Sequence, residues 1–165
     1  MKLEPEWVVG FVDAEGCFHV SIHPDPGTPT GYQVLPEFVV VRHERDVQLL
    51  HALKGFFGCG VVRRHEGDRM AYRVLRKEHL MQRILPFFEK HPLKSKKRVD
   101  FVRFRRILLL MDRGGHLTPE GMERIRALVA QMDRGSPKLE SRPSGNRGGP
   151  ERNSLSGKFR PARKA

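Results

Sequence analysis

Cysteine is scarce in this chain of 165 residues, which contains only Cys17 and Cys59. Two cysteines provide neither the disulfide framework of a small secreted domain nor the ligands of a structural zinc site. Long apolar runs are missing too, and no stretch approaches the roughly 20 residues that span a bilayer. No secretory signal precedes the first patterned element, which begins at Trp7. We therefore expect a protein that is not secreted, with reduced thiols in a cytosol-like compartment.

Acidic residues are also few, with 19 Asp and Glu against 31 Lys and Arg, which gives a net charge of +12. More than half of this excess lies in residues 134–165, which hold nine Lys or Arg and two Asp or Glu. That segment is rich in Gly, Pro, Ser and Arg without a hydrophobic period, as is typical of disorder. We predict a folded domain over residues 1–133 and a basic, disordered tail over residues 134–165. The positive charge favours a nucleic-acid or anionic-membrane partner.

Hydrophobic periodicity predicts two successive α-β-β units followed by further helices. The predicted helices cover residues 4–14, 43–57, 77–90, 93–111 and 118–133. The first of them should be buried on most sides, and the fourth should turn Val99 inward. The predicted strands cover residues 16–23, 32–42, 61–65 and 70–76. This order predicts an antiparallel sheet of four strands with helices on one face. The expected fold class is therefore α+β, with an αββαββ core and extra carboxy-terminal helices.

The first predicted helix is apolar nearly all round and ends in an acidic pair, Asp13 and Glu15, just before Gly16. A carboxylate at a helix carboxy terminus opposes the helix dipole, and a bound cation would reverse that penalty. A solvated helix end with two ordinary acids explains the pattern equally well. Gly10, in the middle of this helix, costs about 1 kcal/mol relative to alanine. Close approach of a second backbone would explain its presence.

One face of the predicted sheet is left uncovered by the helices. By strand parity it carries His19, Ser21, His23, Gln33, Leu35, Glu37, Val39, Arg63, His65, Ala71 and Arg73. Most of these side chains can meet base edges in a DNA major groove. A solvated polar face, common in antiparallel sheets, is slightly favoured by the pattern alone, although Leu35 and Val39 count against it. The basic residues Lys94, Lys96 and Lys97, at the start of the long helix, either form a solvated turn or contact phosphate.

Residues 8–16, VVGFVDAEG, resemble the motif that names the LAGLIDADG homing endonucleases. Further stretches are similar to that family in the same order, namely residues 36–38 with 42–46, 57–60, 92–97 and 117–121. The resemblance covers roughly residues 5–133, and the single copy of the motif points to the homodimeric branch.

This resemblance implies a site-specific endonuclease acting on double-stranded DNA, with an αββαββ core whose sheets form a saddle over a pseudopalindromic target. Two subunits would pack through their motif helices, with Val9, Gly10 and Asp13 at the interface. Cleavage of both strands would leave short 3′ overhangs. The residues of the uncovered sheet face, together with Lys96 and Lys97, would bind DNA.

The resemblance also implies the catalytic residues. Glu15 and the main-chain carbonyl of Ala14 would bind Mg²⁺ or another divalent cation such as Mn²⁺, and Lys94 would serve as the active-site lysine. Arg42, where relatives often have glutamine, would orient solvent or contact phosphate. Asp13 is assigned a structural role.

Two other functions occur among such relatives. One is an RNA maturase that binds intron RNA and assists splicing of a group I intron, and the other is a DNA-binding regulator that has lost cleavage. The acid at position 15 together with Lys94 favours a nuclease over a regulator. The expected location is the cytoplasm or nucleoid of a prokaryote, or an organelle matrix, without a membrane partner.

Overall fold

The computed structural model describes residues 1–132, so the predicted basic tail lies outside the described residues. The helices are α1 (Pro5–Glu15), α2 (Val47–Phe57), α3 (Lys77–His79), α4 (Leu85–Lys90), α5 (Lys97–Asp112) and α6 (Pro119–Met132). The strands are β1 (Gly16–Pro24), β2 (Tyr32–His43), β3 (Val61–Arg64) and β4 (Arg69–Val74). Short helical turns cover Glu44–Asp46, Leu80–Ile84 and Gly115–Leu117, and the second of these joins α3 to α4.

The four strands form one antiparallel sheet in the order β1-β2-β4-β3, with the two longest strands paired at one side. Phe38 on β2 lies opposite both Phe18 on β1 and Val74 on β4, which fixes the register across three strands. These residues are buried under the helices, as are Val20, Val40 and Tyr72. The predicted α+β class and the αββαββ order are confirmed.

An aromatic cluster joins the sheet to the helices that cover it. The ring of Phe18 lies 5.2 Å from that of Phe38, 5.4 Å from that of Phe101 and 5.3 Å from that of Phe104. The Phe38 ring also lies 5.9 Å from the ring of Phe88 on α4. Aromatic pairs at such distances contribute beyond the area they bury. The central strands are thereby held against both α4 and α5.

The long helix α5 begins later than predicted. Residues 93–96 are not helical, and α5 starts only at Lys97. Val99, predicted to face inward, is 49% exposed, whereas Leu93 is buried before the helix begins. The start of a helix sets which residues share its inner face. The prediction of Val99 as a core residue was therefore wrong.

Helix α1 is buried on only one side within the described chain, not on most sides as predicted. Val8, Val9 and Val12 belong to the core, and Val9 is only 2% exposed. Trp7 is 41% exposed and its ring stacks on that of Phe11 at 4.8 Å. Val9 is therefore not available for the intersubunit contact predicted for it.

No helix within residues 1–132 is both long enough and apolar enough to cross a membrane.

Helix α6 matches its prediction closely. Thr118 caps it, since its hydroxyl accepts a hydrogen bond from the Gly121 main chain at 3.1 Å.

Candidate functional site

An open cleft of about 1310 Å³ lies where the end of α1 meets the sheet and the start of α5. Its walls include Ala14 and Glu15 from α1, Arg42 from β2, and Lys96 and Lys97 from the start of α5. The apolar residues of α1 hold this helix against the core, so the acidic end of the helix is fixed at the mouth of the cleft. The change from helix to strand at residue 16 thus places Glu15 beside the sheet.

Arg42 is the centre of an ion-pair network in this cleft. Its Nη1 donates to Glu15 Oε1 at 2.7 Å, and its Nη2 donates to Asp46 Oδ2 at 3.1 Å. The guanidinium carbon lies 6.0 Å from the centre of the Phe11 ring. The Nε of Arg42 is buried and has no hydrogen-bond partner among the described residues. The side chains of Glu15 and Arg42 both remain partly exposed to the cleft.

The donor atoms at the end of α1 are hard oxygens, which suit Mg²⁺. Glu15 offers a carboxylate, and Ala14 lies in the last turn, where helix carbonyls lack intrahelical partners. Within residues 1–132 no group of three or more His, Cys, Asp or Glu side chains is placed to hold a metal ion. Mg²⁺ usually takes one or two protein carboxylates and completes its shell with water and substrate phosphate. The residues present fit such a shared site, not a cage built by one chain.

Asp13 joins the end of α1 to the segment that precedes α5. Its carboxylate accepts hydrogen bonds from the main-chain N–H of Lys94 at 2.7 Å and of Ser95 at 3.2 Å. The Ser95 hydroxyl donates a further bond at 2.8 Å. Burial would raise the pKa of Asp13, but these hydrogen bonds and the charge of Lys97 outweigh it and hold that pKa below its usual value. The carboxylate is thus held in its ionised form.

Replacing Asp13 with asparagine should lower the free energy of unfolding by about 1–3 kcal/mol, because charge-assisted hydrogen bonds are lost. A lowered pKa stabilises the fold above the unfolded-state pKa, about 4, and this contribution disappears as pH falls through the folded-state value. The difference between wild type and variant should therefore be full at pH 7 and shrink below about pH 4, as urea titrations would show. Asp112→Asn, an exposed control, should change stability by less than about 0.5 kcal/mol. An equal loss in both variants would contradict this role.

The structure places Lys97, not Lys94, in the cleft. Lys94 is exposed, does not line the cleft, and contributes its main-chain N–H to Asp13. Lys97 Nζ donates to the main-chain oxygen of Val12 at 3.0 Å, at the carboxy-terminal end of α1. Burial lowers the pKa of Lys97, although the nearby Cys17, Asp13 and Glu15 act to raise it. The side chains of Lys96 and Lys97 line the cleft, whereas that of Lys94, predicted as the active-site lysine, does not.

The residue types in this segment do not show which of its lysines faces the cleft. Positions 94, 96, 97 and 98 are all basic, and only the point at which α5 begins decides which side chain turns into the cleft. The Glu15–Arg42 pair was also missed as a contact, since its members are 27 residues apart in sequence.

The residues predicted on the uncovered sheet face do share one face. The register pairs His19 with Glu37, Ser21 with Leu35, and His23 with Gln33. The same face continues through the remaining predicted residues, with the pairs Val39–Arg73 and Arg63–Ala71 and the nearby His65.

Two of these residues are not accessible. Val39 is 1% exposed and Ala71 is 0% exposed, so the base contacts predicted for them are wrong. Both lie on the two central strands opposite longer side chains, since Val39 faces Arg73 and Ala71 faces Arg63. Alternation along a strand gives the direction of a side chain but not how far its neighbours cover it.

Arg73 is engaged within the protein. Its guanidinium forms an ion pair with Glu37, and its Nη2 lies 2.9 Å from His65 Nδ1. Arg63 is exposed, and within the described residues it takes part in no side-chain hydrogen bond. Of the two arginines, Arg63 is the freer to contact a ligand.

The sequence matches the family described as LAGLIDADG endonuclease over residues 8–108. This range contains most of α1, the whole sheet and most of α5. The chain therefore belongs to the LAGLIDADG endonuclease family.

Individual relatives extend this comparison. A protein of Podospora anserina, "Uncharacterized 50.9 kDa protein in ND4 intron 1", is 35% identical over 118 residues, which are 70% of this chain and 26% of that protein. The chain thus spans about a quarter of the length of this relative. The homing endonuclease I-TnaI has a crystal structure that is 54% identical, with a TM-score of 0.80, covering 82% of this chain and 92% of that one. I-SmaMI bound to an uncleaved DNA target with calcium ions is 32% identical, with a TM-score of 0.78, covering 80% of this chain and 45% of that one.

Proposed function

We propose that this protein is a homing endonuclease that cuts both strands of a long, pseudopalindromic DNA target at a specific site. The observation that carries the proposal is the position of Glu15, at the exposed end of the family's motif helix and inside a cleft beside the uncovered sheet face. A carboxylate and two lysines in one cleft provide the groups that phosphodiester hydrolysis needs. The DNA-bound state of I-SmaMI supports DNA as the substrate.

The exposed face of α1 supports assembly as a homodimer. Trp7 and Gly10 are exposed, and together with the partly buried Phe11 they form an apolar surface on the outer side of α1. An added Cβ at Gly10 would meet nothing within 4 Å, so the subunit's own packing does not require glycine there. A second α1 packed across this face would bring the two Glu15 carboxylates together and align two sheets as one DNA-binding saddle.

Gly10→Leu should therefore weaken dimerisation by roughly 10- to 100-fold, because a bulky side chain at a close helix contact costs about 1–3 kcal/mol. Sedimentation velocity over a range of protein concentrations measures this directly. Gly55→Leu is the matched control, since Gly55 also lies in a helix and an added Cβ there meets nothing within 4 Å. If both variants dimerise like the wild type, α1 is not the subunit interface.

In the proposed reaction, Glu15 and the Ala14 carbonyl would hold Mg²⁺, with Mn²⁺ as a substitute. When bound, such a metal activates water and stabilises the leaving 3′ oxygen. Lys97, anchored on Val12, places a positive charge beside the reacting phosphate, where it offsets developing negative charge. Lys96, exposed at the rim, contacts the DNA backbone. The DNA-bound state of I-SmaMI in the presence of calcium ions supports the use of a divalent cation.

Sequence recognition would come from the uncovered sheet face in the major groove. Arg63 and Gln33 are exposed and carry the donors that pair with guanine and adenine. Arg73 would read its base as a unit with Glu37, since the carboxylate already fixes the guanidinium. The remaining accessible residues of the face, His19, Ser21, His23, Leu35 and His65, would complete the contacts. Cleavage across the minor groove would leave short 3′ overhangs.

The RNA maturase has no structural observation in its favour, and the acid and lysine retained in the cleft count against a regulator without cleavage. The Podospora relative's ND4 intron origin supports an intron context and is consistent with an organelle matrix.

Cleavage of a randomised duplex library tests the proposal. The purified full-length chain is incubated with the library and Mg²⁺, and the new ends are sequenced. One family of pseudopalindromic sites with short 3′ overhangs is expected, and chelation of the metal should stop the reaction. Intact DNA under all metal conditions, or degradation without sequence preference, would refute the proposed function.

A further inference from the structure

The Glu15 carboxylate already has a cationic partner within its own subunit. Arg42 donates to Glu15 Oε1 at 2.7 Å while its second terminal nitrogen is bound to Asp46. The planar guanidinium presents fixed donors, so it bridges the end of α1 and the start of α2 at a defined distance. Glu15 is therefore neutralised in the free subunit.

A divalent cation and the Arg42 guanidinium compete for the same carboxylate. The oxygen that accepts the 2.7 Å hydrogen bond has its lone pair directed at nitrogen, and two positive charges at such a distance repel each other. A metal at the second oxygen, Oε2, would still lie close to the guanidinium charge, so coordination through Glu15 favours rotation of Arg42 away from the carboxylate.

Arg42 can leave Glu15 and still keep a carboxylate partner. Asp46 alone can retain the guanidinium, because its bond to Nη2 does not involve Glu15. The Nε of Arg42 is buried without a hydrogen-bond partner, so the bridging arrangement leaves one donor unsatisfied. If the guanidinium rotates, it keeps its hydrogen bond to Asp46. The donors that no longer contact Glu15 then point into the cleft, where they can bind a phosphate oxygen.

From this geometry we infer that the Arg42 guanidinium stays paired with Glu15 until a metal ion and a DNA phosphate bind together. The inference rests on the proposed metal-dependent function and concerns the control of that site. Arg42 acts here through Glu15 and is a positioning residue. This ion pair weakens metal binding by the DNA-free protein, so that the metal site forms mainly when a DNA duplex is bound.

The test is Mn²⁺ binding to the free full-length protein, measured from the electron paramagnetic resonance signal of unbound Mn²⁺. Arg42→Gln should bind Mn²⁺ about tenfold more tightly than the wild type, since the competing charge is removed. Arg42→Lys keeps the charge but cannot bridge both carboxylates, and should bind with intermediate affinity. It also provides a second variant should Arg42→Gln fold poorly.

Arg45→Gln is the matched control. Arg45 lines the same cleft and carries the same charge, but its nearest carboxylate contact is Asp46 at 3.9 Å and it does not touch Glu15. Its Mn²⁺ affinity should stay within about twofold of the wild type. An equal gain in both variants would mean that general charge, not the Glu15 contact, sets the affinity, and would overturn the inference.

Glu15→Gln distinguishes a failure of the role of Arg42 from a failure of the metal site. It should remove the Mn²⁺ binding of both the wild type and the Arg42→Gln variant. If Mn²⁺ binds through Glu15 with the same affinity whether or not Arg42 is present, the inference fails while the proposed function stands. If Mn²⁺ binding does not depend on Glu15 at all, the metal site of the proposed function fails as well.

Discussion

Glu15→Gln should reduce DNA cleavage by about 10³-fold or more while specific DNA binding persists. The amide keeps the size of the side chain but removes the negative charge that would hold the metal, and metal-ion catalysis contributes several kcal/mol to such reactions. Cleavage of a selected target measures the rate, and a gel-shift titration in Ca²⁺ measures binding separately.

Glu6→Gln is the control for this change, since Glu6 lies on the same helix and is largely exposed. Its cleavage rate should match the wild type within about twofold, as is usual for surface substitutions. A Glu15→Gln protein that still cleaved at the wild-type rate would remove Glu15 from the mechanism. Loss of binding together with cleavage would instead show that Glu15 serves the fold.

Phe38→Ala should lower the free energy of unfolding by about 3–5 kcal/mol. Phe38 is fully buried on the central strand β2, and its ring contacts those of Phe18, Phe57, Tyr72 and Phe88. Truncation leaves a cavity among four large rings that cannot collapse together. A domain of this size has only about 5–15 kcal/mol of stability, so much of it would be lost.

Equilibrium unfolding in urea measures this loss, and Leu35→Ala provides the control on the same strand. Leu35 is 38% exposed on the opposite face, so its truncation should cost less than about 1 kcal/mol. Similar losses in the two variants would show that the aromatic cluster does not dominate the core.

Much of the fold could be predicted because local patterns and tertiary packing agree. The change of period at Gly16 marks the end of α1 and the start of β1, and the turn-rich residues 24–31 mark the first hairpin. Strand alternation placed the residues of the uncovered face on the side opposite Phe18, Phe38 and Tyr72, which are buried. These features depend on neighbouring residues in sequence, which is why a single sequence contains them.

The errors arose where position depends on distant contacts. The start of α5 is set by the hydrogen bonds of Asp13 to residues 94 and 95, which lie 81 and 82 positions away. The position of the Lys94 side chain outside the cleft could not be predicted for that reason. Local chemistry at the end of α1 left a solvated terminus and a cation site equally plausible, and the family resemblance alone pointed to Glu15. Its pairing with Arg42 required the folded structure.

The alternation of side chains along the sheet also has an evolutionary consequence. Residues that face the helices hold the domain together, whereas exposed residues such as Arg63, Gln33 and His23 on the other face carry almost no packing. Under the proposed function, mutations at these exposed positions would therefore change the preferred target with little loss of stability. Val39 and Ala71 are exceptions, because they are buried on the recognition face itself. A lineage adapting to a new insertion site would be expected to vary exposed positions such as Arg63, Gln33 and His23 first, and to retain Val39 and Ala71.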